Sequence, residues 1–138
     1  SAYLYFIYGR YWCVNAVTRG LGLPSAVLIR GVEPLVGLDL MRERRARART
    51  DHDLTNGPAK LCLAMAIDGR HNGLSLLRLP LVIREDEPVP DRDVVVTPRI
   101  GITKAADWPL RWLVRGNPYT SKTPRHFHQA SLDSSRRG

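Results

Sequence analysis

A cluster of aromatic and polar residues near the N-terminus has residue types and a spacing that would suit a functional site. Its members are Tyr3, Tyr5, Tyr8, Arg10, Tyr11, Trp12 and Asn15. Tyr3 and Tyr5 would share one face of a strand, and Tyr8 would lie at the following turn. Aromatic rings beside basic side chains can stack on nucleobases or wedge between them. A packed aromatic core explains the same composition, and composition alone favours it.

Two polar residues stand inside apolar stretches and need partners. Arg30 lies in the run 25–32, and a buried arginine requires a counter-ion or a ligand. Glu33 and Asp39 are its structural candidates. Asn15 lies in the run 11–17, where its amide could read a base edge or satisfy a neighbouring backbone group.

Other chemistries have weak support in the sequence. Cys13 and Cys62 lack partners at the spacing of zinc ligands, and His126 and His128 form only a pair. The sequence contains no phosphate-binding loop, dinucleotide fingerprint or nucleophile elbow. We therefore expect no metal and no organic cofactor, and no carboxylate stands out as a general base.

The net charge of +8 points to a polyanionic partner, most commonly nucleic acid. Residues 41–50 carry five arginines against Glu43, and residues 121–138 carry four basic residues against Asp133. These two segments carry most of the excess positive charge, although solvated segments with no binding partner would have the same composition. Two cysteines and the lack of an N-terminal targeting pattern favour a cytoplasmic protein.

The strands and helices that the sequence predicts around these residues indicate an α+β fold. The 138 residues are 43% hydrophobic and 25% charged, which excludes disordered, collagen-like and membrane-spanning chains. The predicted strands are 2–8, 11–17, 25–32, 79–84, 93–97, 99–103 and 108–114, and the predicted helices begin at Pro34 and at Pro58. The fold is mostly antiparallel sheet with a β-hairpin and two main helices. We expect one incomplete domain over 1–120 and a basic, disordered tail over 121–138.

Several short runs, in order, resemble the 3-methyladenine (alkyladenine) DNA glycosylases. They cover 5–15, 26–38, 56–62, 98–102, 109–112 and 116–118. The resemblance implies a base-excision repair enzyme that binds duplex DNA, flips a damaged purine out and hydrolyses its N-glycosidic bond. It implies a monomer near the bacterial nucleoid, with no cofactor.

The resemblance also assigns roles to individual residues. Tyr8 matches the wedge that fills the gap left by the flipped base, and Tyr5 matches the ring that stacks on that base. Asn15 matches the residue that crowds the 2-amino group of guanine. Arg30 and the backbone carbonyl of Ile100 match the groups that hold the attacking water. The remaining DNA contacts that we predict are Arg10, Tyr11, Lys60 and Arg99.

One departure from the family pattern affects the expected activity. The general base of the family is a glutamate in a Glu-Ala-Tyr motif that precedes the hairpin, and a nearby histidine helps to complete the pocket. This chain begins after those residues, and a positioned base contributes roughly 10²–10⁴-fold. We expect the intact protein to be the enzyme and this chain to be inactive. The alternatives are a non-catalytic DNA-binding module that uses the Tyr8 hairpin and basic segments, or a fragment that does not fold.

Overall fold

The computed structural model describes residues 1–20, 23–98 and 111–121, with the backbone alone at 18–20 and 23–24. Its strands are β1 (Ala2–Ile7), β2 (Tyr11–Gly20), β3 (Leu23–Leu28), β4 (Leu77–Arg78), β5 (Leu81–Val82), β6 (Val94–Thr97) and β7 (Arg111–Val114). Its α-helices are α1 (Leu38–Arg44) and α2 (Pro58–Met65), with short 3₁₀ turns at His52–Leu54, Gly69–His71 and Asp91–Asp93. All strand pairs are antiparallel, so the α+β prediction is confirmed. The chain divides into two compact units after Glu85.

The first unit contains a three-stranded sheet in the order β1-β2-β3. Successive side chains of a strand point to opposite faces, so the register assigns every residue to one of two faces. Leu4 pairs with Val14 on the face that packs into the core, and Tyr5 pairs with Cys13 on the other face. The sheet therefore has a core face and a second face that carries Tyr5 and Cys13.

Helix α2 covers the core face. Its Leu61 and Cys62 pack into the cluster that contains Leu4 and Val14. Helix α1 packs on α2 in turn, because Met41, Leu54 and Ala64 form a second buried cluster. The order of the layers is therefore sheet, α2, α1.

Helix α2 forms where Pro58 predicts it, because proline at the first turn loses no hydrogen bond. The predicted start of the first helix at Pro34 is wrong, since α1 begins only at Leu38. Gly37 has φ 81°, a left-handed conformation that an α-helix cannot continue through. Leu35, which the helical spacing assigns to an apolar stripe, is 80% exposed.

The remaining strands differ from prediction mainly in length. The third strand ends at Leu28, so Arg30 lies just beyond it rather than inside it. Of the predicted strand 79–84, only Leu81–Val82 (β5) is a strand, and it pairs with β4, which lies before the predicted range. Strands β6 and β7 confirm the predictions for 93–97 and 108–114 over their described parts, whereas 99–103 lies outside the described residues.

The second unit includes the β6-β7 pair and a buried arginine. Arg111 is 3% exposed and donates from Nη1 to the Thr97 hydroxyl at 3.2 Å. Its Nη2 donates to the carbonyl oxygen of Ser121 at 2.7 Å. The guanidinium thereby ties the segment after β7 to the two strands.

Asp68 caps the 3₁₀ turn Gly69–His71, which passes the face of Trp12. The Asp68 carboxylate accepts from the Arg70 backbone N–H at 2.9 Å, and Asp68 N–H donates to His71 Nδ1 at 3.1 Å. Gly69 is required here, because a Cβ would come within 2.7 Å of the Trp12 ring. Side-chain and backbone hydrogen bonds from Arg70 lower the pKa of Asp68 to about 2.

We predict that this cap makes stability depend on acid pH. A carboxyl group with a lowered folded-state pKa stabilises above its ordinary pKa, here 3.8, and loses that contribution as pH falls towards about 2. The free energy of unfolding should therefore drop over that interval. Urea denaturation at several pH values should give a shallower drop for Asp68→Asn. Equal pH profiles for the two chains would contradict the assignment.

Candidate nucleic-acid interface

The tip of the β1-β2 hairpin projects one aromatic ring. Tyr8 and Gly9 have φ 53° and 63°, and Arg10 N–H donates to the Ile7 carbonyl at 3.1 Å. Two central residues with positive φ define a type I′ turn, which matches the twist of the flanking strands. Tyr8 is 85% exposed. The turn therefore holds Tyr8 at the outermost point of the hairpin.

The face opposite the core collects the residues that sequence reasoning assigned to the base. Tyr3 pairs with Asn15 and Tyr5 pairs with Cys13 across the two strands. The rings of Tyr3 and Tyr5 lie 6.1 Å apart between centroids, at 33°. We call this face, with Arg30 beside it, the base-binding face, after the role that the resemblance assigns to Tyr5 and Asn15. Its components come from two strands and the segment after a third.

Asn15 is held in place on this face by the backbone. It is 7% exposed, and its Nδ2 donates to the Tyr3 carbonyl at 3.3 Å. This contact matches the structural alternative, in which the amide satisfies a neighbouring backbone group. It also fixes the position of the amide beside Tyr3. A ligand on this face would meet an amide with a defined orientation.

Arg30 lies next to Tyr5 and Cys13 and has an unsatisfied donor. Burial lowers the pKa of its guanidinium, and the neighbouring Tyr5 and Cys13 oppose this shift. Within the described residues its Nε is buried and makes no hydrogen bond. The structural alternative, a pairing with Glu33 or Asp39, is not seen among the described residues: Arg30 forms no salt bridge there, and Asp39 pairs with Arg42 at 2.8 Å. The buried Nε–H is therefore a donor that no described residue satisfies.

The two groups beside Arg30 are neutral at physiological pH. Burial, and then the nearby Cys13, raise the pKa of the Tyr5 hydroxyl. Burial also raises the pKa of the Cys13 thiol, against a hydrogen bond with Tyr5 and the charge of Arg30. The arginine is consequently the charged group of this trio. Its positive charge is not cancelled by either neighbour.

The other predicted DNA contacts are dispersed. The Arg10 guanidinium lies 5.9 Å from the centroid of the Tyr11 ring, beside the hairpin tip. Lys60, in the first turns of α2, donates from Nζ to Asp53 at 2.5 Å and to Asn56 at 2.9 Å. Its ammonium group is thus already paired with a carboxylate.

Two predicted site residues, Arg99 and Ile100, lie outside the described residues. Sequence reasoning missed Cys13 as a member of the base-binding face. The register that brings Cys13 there pairs Ile7 with Tyr11 and leaves residues 8–10 in the turn, so it depends on the length of the turn.

The described part of the chain meets neither the requirements of a metal site nor those of a membrane-spanning helix. No group of three or more His, Cys, Asp or Glu residues there could hold a metal ion. No described helix has the length and apolar character needed to cross a membrane.

This face of the sheet presents two tilted tyrosine rings and an amide held by a backbone carbonyl, with a guanidinium beside them. The chain belongs to the methylpurine-DNA glycosylase family, whose sequence profile matches residues 1–118. This match confirms the resemblance seen in the sequence.

Individual relatives agree with the family assignment. A protein of Carboxydothermus hydrogenoformans is 43% identical over 88% of this chain, and one of Methanoculleus marisnigri is 47% identical over 88%. A protein of Burkholderia orbicola is 45% identical over 86% of the chain. All three carry the name 3-methyladenine DNA glycosylase as a provisional one. The chain covers 63%, 64% and 58% of their respective lengths.

Proposed function

We propose that this chain supplies the wedge and the base-binding face of a DNA glycosylase that flips damaged purines out of duplex DNA. One observation carries the proposal. Tyr5, Asn15 and Arg30 are gathered on the face of the sheet that α2 leaves uncovered, and Tyr8 projects from the tip of the same hairpin. Tyr8, Tyr5 and Asn15 are therefore parts of one hairpin, with Arg30 beside it.

The chemistry of a flipped purine fits these groups. Tyr5 offers a ring for stacking, which contributes about 1–3 kcal/mol per base in single-strand sites. Asn15, fixed by the Tyr3 carbonyl, would stand against a 2-amino group and so disfavour guanine. The unsatisfied Nε–H of Arg30 would donate to the water that attacks C1′. Tyr8 would occupy the gap left in the duplex.

The alternative, a DNA-binding module without catalysis, is favoured for these 138 residues by a specific observation. Within the described residues, the charged group of the base-binding face is an arginine, and the side chains beside it are a phenol and a thiol. None of these three is a carboxylate that could serve as general base. We therefore propose that the chain itself recognises the lesion and that excision by the whole protein also uses a carboxylate.

The test compares a fluorescent duplex that contains one hypoxanthine with an undamaged duplex of the same sequence. We predict that the chain binds the hypoxanthine duplex about tenfold more tightly, because stacking of the flipped base on Tyr5 adds about 1–3 kcal/mol. We also predict that it leaves no abasic sites above background. Fluorescence anisotropy measures the first quantity, and alkaline cleavage at abasic sites measures the second.

Each readout has a result that would contradict the proposal. Equal affinity for the two duplexes would remove lesion recognition from the base-binding face. Abasic sites above background would mean that a carboxylate of this chain serves as the base. Undamaged duplex with a single mismatch is the matched control, because a mismatch also weakens base pairing but offers no damaged purine.

A further inference from the structure

A basic cleft lies where α1 ends, away from the base-binding face. Arg42, Arg45 and Arg49 line it together with Asp51, and Leu54 closes its floor. Sequence spacing predicts that these three arginines share one helix face. The helix ends at Arg44, yet the following segment still brings Arg49 to the same cleft.

Backbone carbonyl oxygens, which are neutral acceptors, hold the Arg45 side chain in the cleft. Its Nη1 donates to the backbone carbonyls of Asp53 and Leu54. In the described part of the chain its Nε and Nη2 make no hydrogen bond and it forms no salt bridge, although its charge helps to lower the pKa of the nearby Asp53 carboxyl group. A guanidinium carries five N–H donors, so the remaining fork is pre-organised for an anion.

The carboxylates near the cleft are already occupied. Asp51 takes two hydrogen bonds from Arg42, at 3.0 and 2.8 Å, and these bonds lower the pKa of Asp51. Asp53 pairs with Lys60 and also accepts from the backbone N–H of Arg49. Arg49 itself is exposed and makes no ion pair within the described residues. The lining thus retains the positive charge of Arg45 and Arg49.

We propose that this cleft binds a phosphodiester of duplex DNA as a contact separate from the lesion pocket. The proposal rests on the proposed function, since it takes the DNA that the hairpin engages as the ligand. An arginine fork matches phosphate geometry, and residues 41–50 hold about half of the net charge of the chain. Because α2 stands between α1 and the sheet, the cleft contacts a phosphate away from the flipped nucleotide.

The test measures binding of the full chain to an undamaged duplex over a range of salt concentrations. Arg49→Gln should reduce the slope of log K against log salt by about 0.9, the value for one phosphate contact on duplex DNA. At about 0.1 M salt this corresponds to roughly eightfold weaker binding. Arg45→Lys keeps the charge but loses the fork, and we expect a loss of the same sign. Arg78→Gln removes an exposed arginine of β4 and is the matched control.

The outcomes separate this inference from the proposed function. If the unaltered chain does not bind duplex DNA, the proposed function itself fails. If it binds, but Arg49→Gln and Arg78→Gln lower affinity and slope equally, only general charge matters and the cleft is not a site. A larger loss in Arg49→Gln, with an unchanged preference for hypoxanthine duplex and unchanged urea denaturation, supports the cleft.

Discussion

Tyr8→Asn is expected to make the chain more stable and its binding to damaged DNA weaker. Tyr8 has φ 53°, and the left-handed region costs an ordinary residue about 1–2 kcal/mol. The first central position of a type I′ turn favours asparagine, which tolerates that conformation. We expect the free energy of unfolding in urea to rise by about 1 kcal/mol. The exposed ring of Tyr8 loses little packing when it is removed.

The same substitution should weaken the binding of the chain to damaged DNA. Loss of the wedge ring should weaken binding to the hypoxanthine duplex by about tenfold, since a stacked ring contributes about 1–3 kcal/mol. Tyr8→Ala should lose the same affinity without the gain in stability. Trp112→Ala, which removes a 68% exposed ring from β7, is the matched control and should leave the preference for hypoxanthine unchanged. A fall in stability for Tyr8→Asn, or an unchanged affinity for the hypoxanthine duplex, would contradict the interpretation that Tyr8 is a wedge held in a strained backbone conformation.

The hairpin is the part of the fold that local sequence rules predict best. The alternation of Ala2 and Leu4 with Tyr3 and Tyr5 sets the two faces, and the turn fixes the pairing of Tyr5 with Cys13. The sequence pattern places the turn at Gly9-Arg10, whereas the two residues with positive φ are Tyr8 and Gly9, directly after the strand ends at Ile7. Such one-residue shifts depend on backbone conformations that composition does not reveal.

Side-chain partners across loops are much harder to predict. Lys60 was expected to contact phosphate, and its pairing with Asp53 depends on how the turn His52–Leu54 folds back on α2. Arg45 finds its acceptors on backbone carbonyls, which carry no sequence signature. Arg30 stands out in the sequence as a charge in an apolar run, but that pattern does not reveal its neighbours. They follow from the register of β1 and β2 and from the end of β3.

We expect Arg30→Met, like Tyr8→Asn, to stabilise the chain and to weaken its binding to damaged DNA. A buried donor without a partner costs about 1–3 kcal/mol, and Arg30 Nε is such a donor. Arg30→Met keeps much of the side-chain volume and removes the donor and the charge. Because Arg30 is only half-buried, we expect the free energy of unfolding to rise by about 1 kcal/mol, at the lower end of that range. Urea denaturation measures this change.

The same substitution should weaken binding to the hypoxanthine duplex more than binding to the undamaged duplex. The reason is that a ligand on the base-binding face supplies the acceptor that Arg30 Nε lacks. Arg30→Lys is the matched control, since it keeps the positive charge but loses the Nε–H and the planar fork. If loss of charge alone explained the effect, Arg30→Lys would bind like the unaltered chain. A stability loss in Arg30→Met would instead identify Arg30 as a structural residue and overturn its assignment to the site.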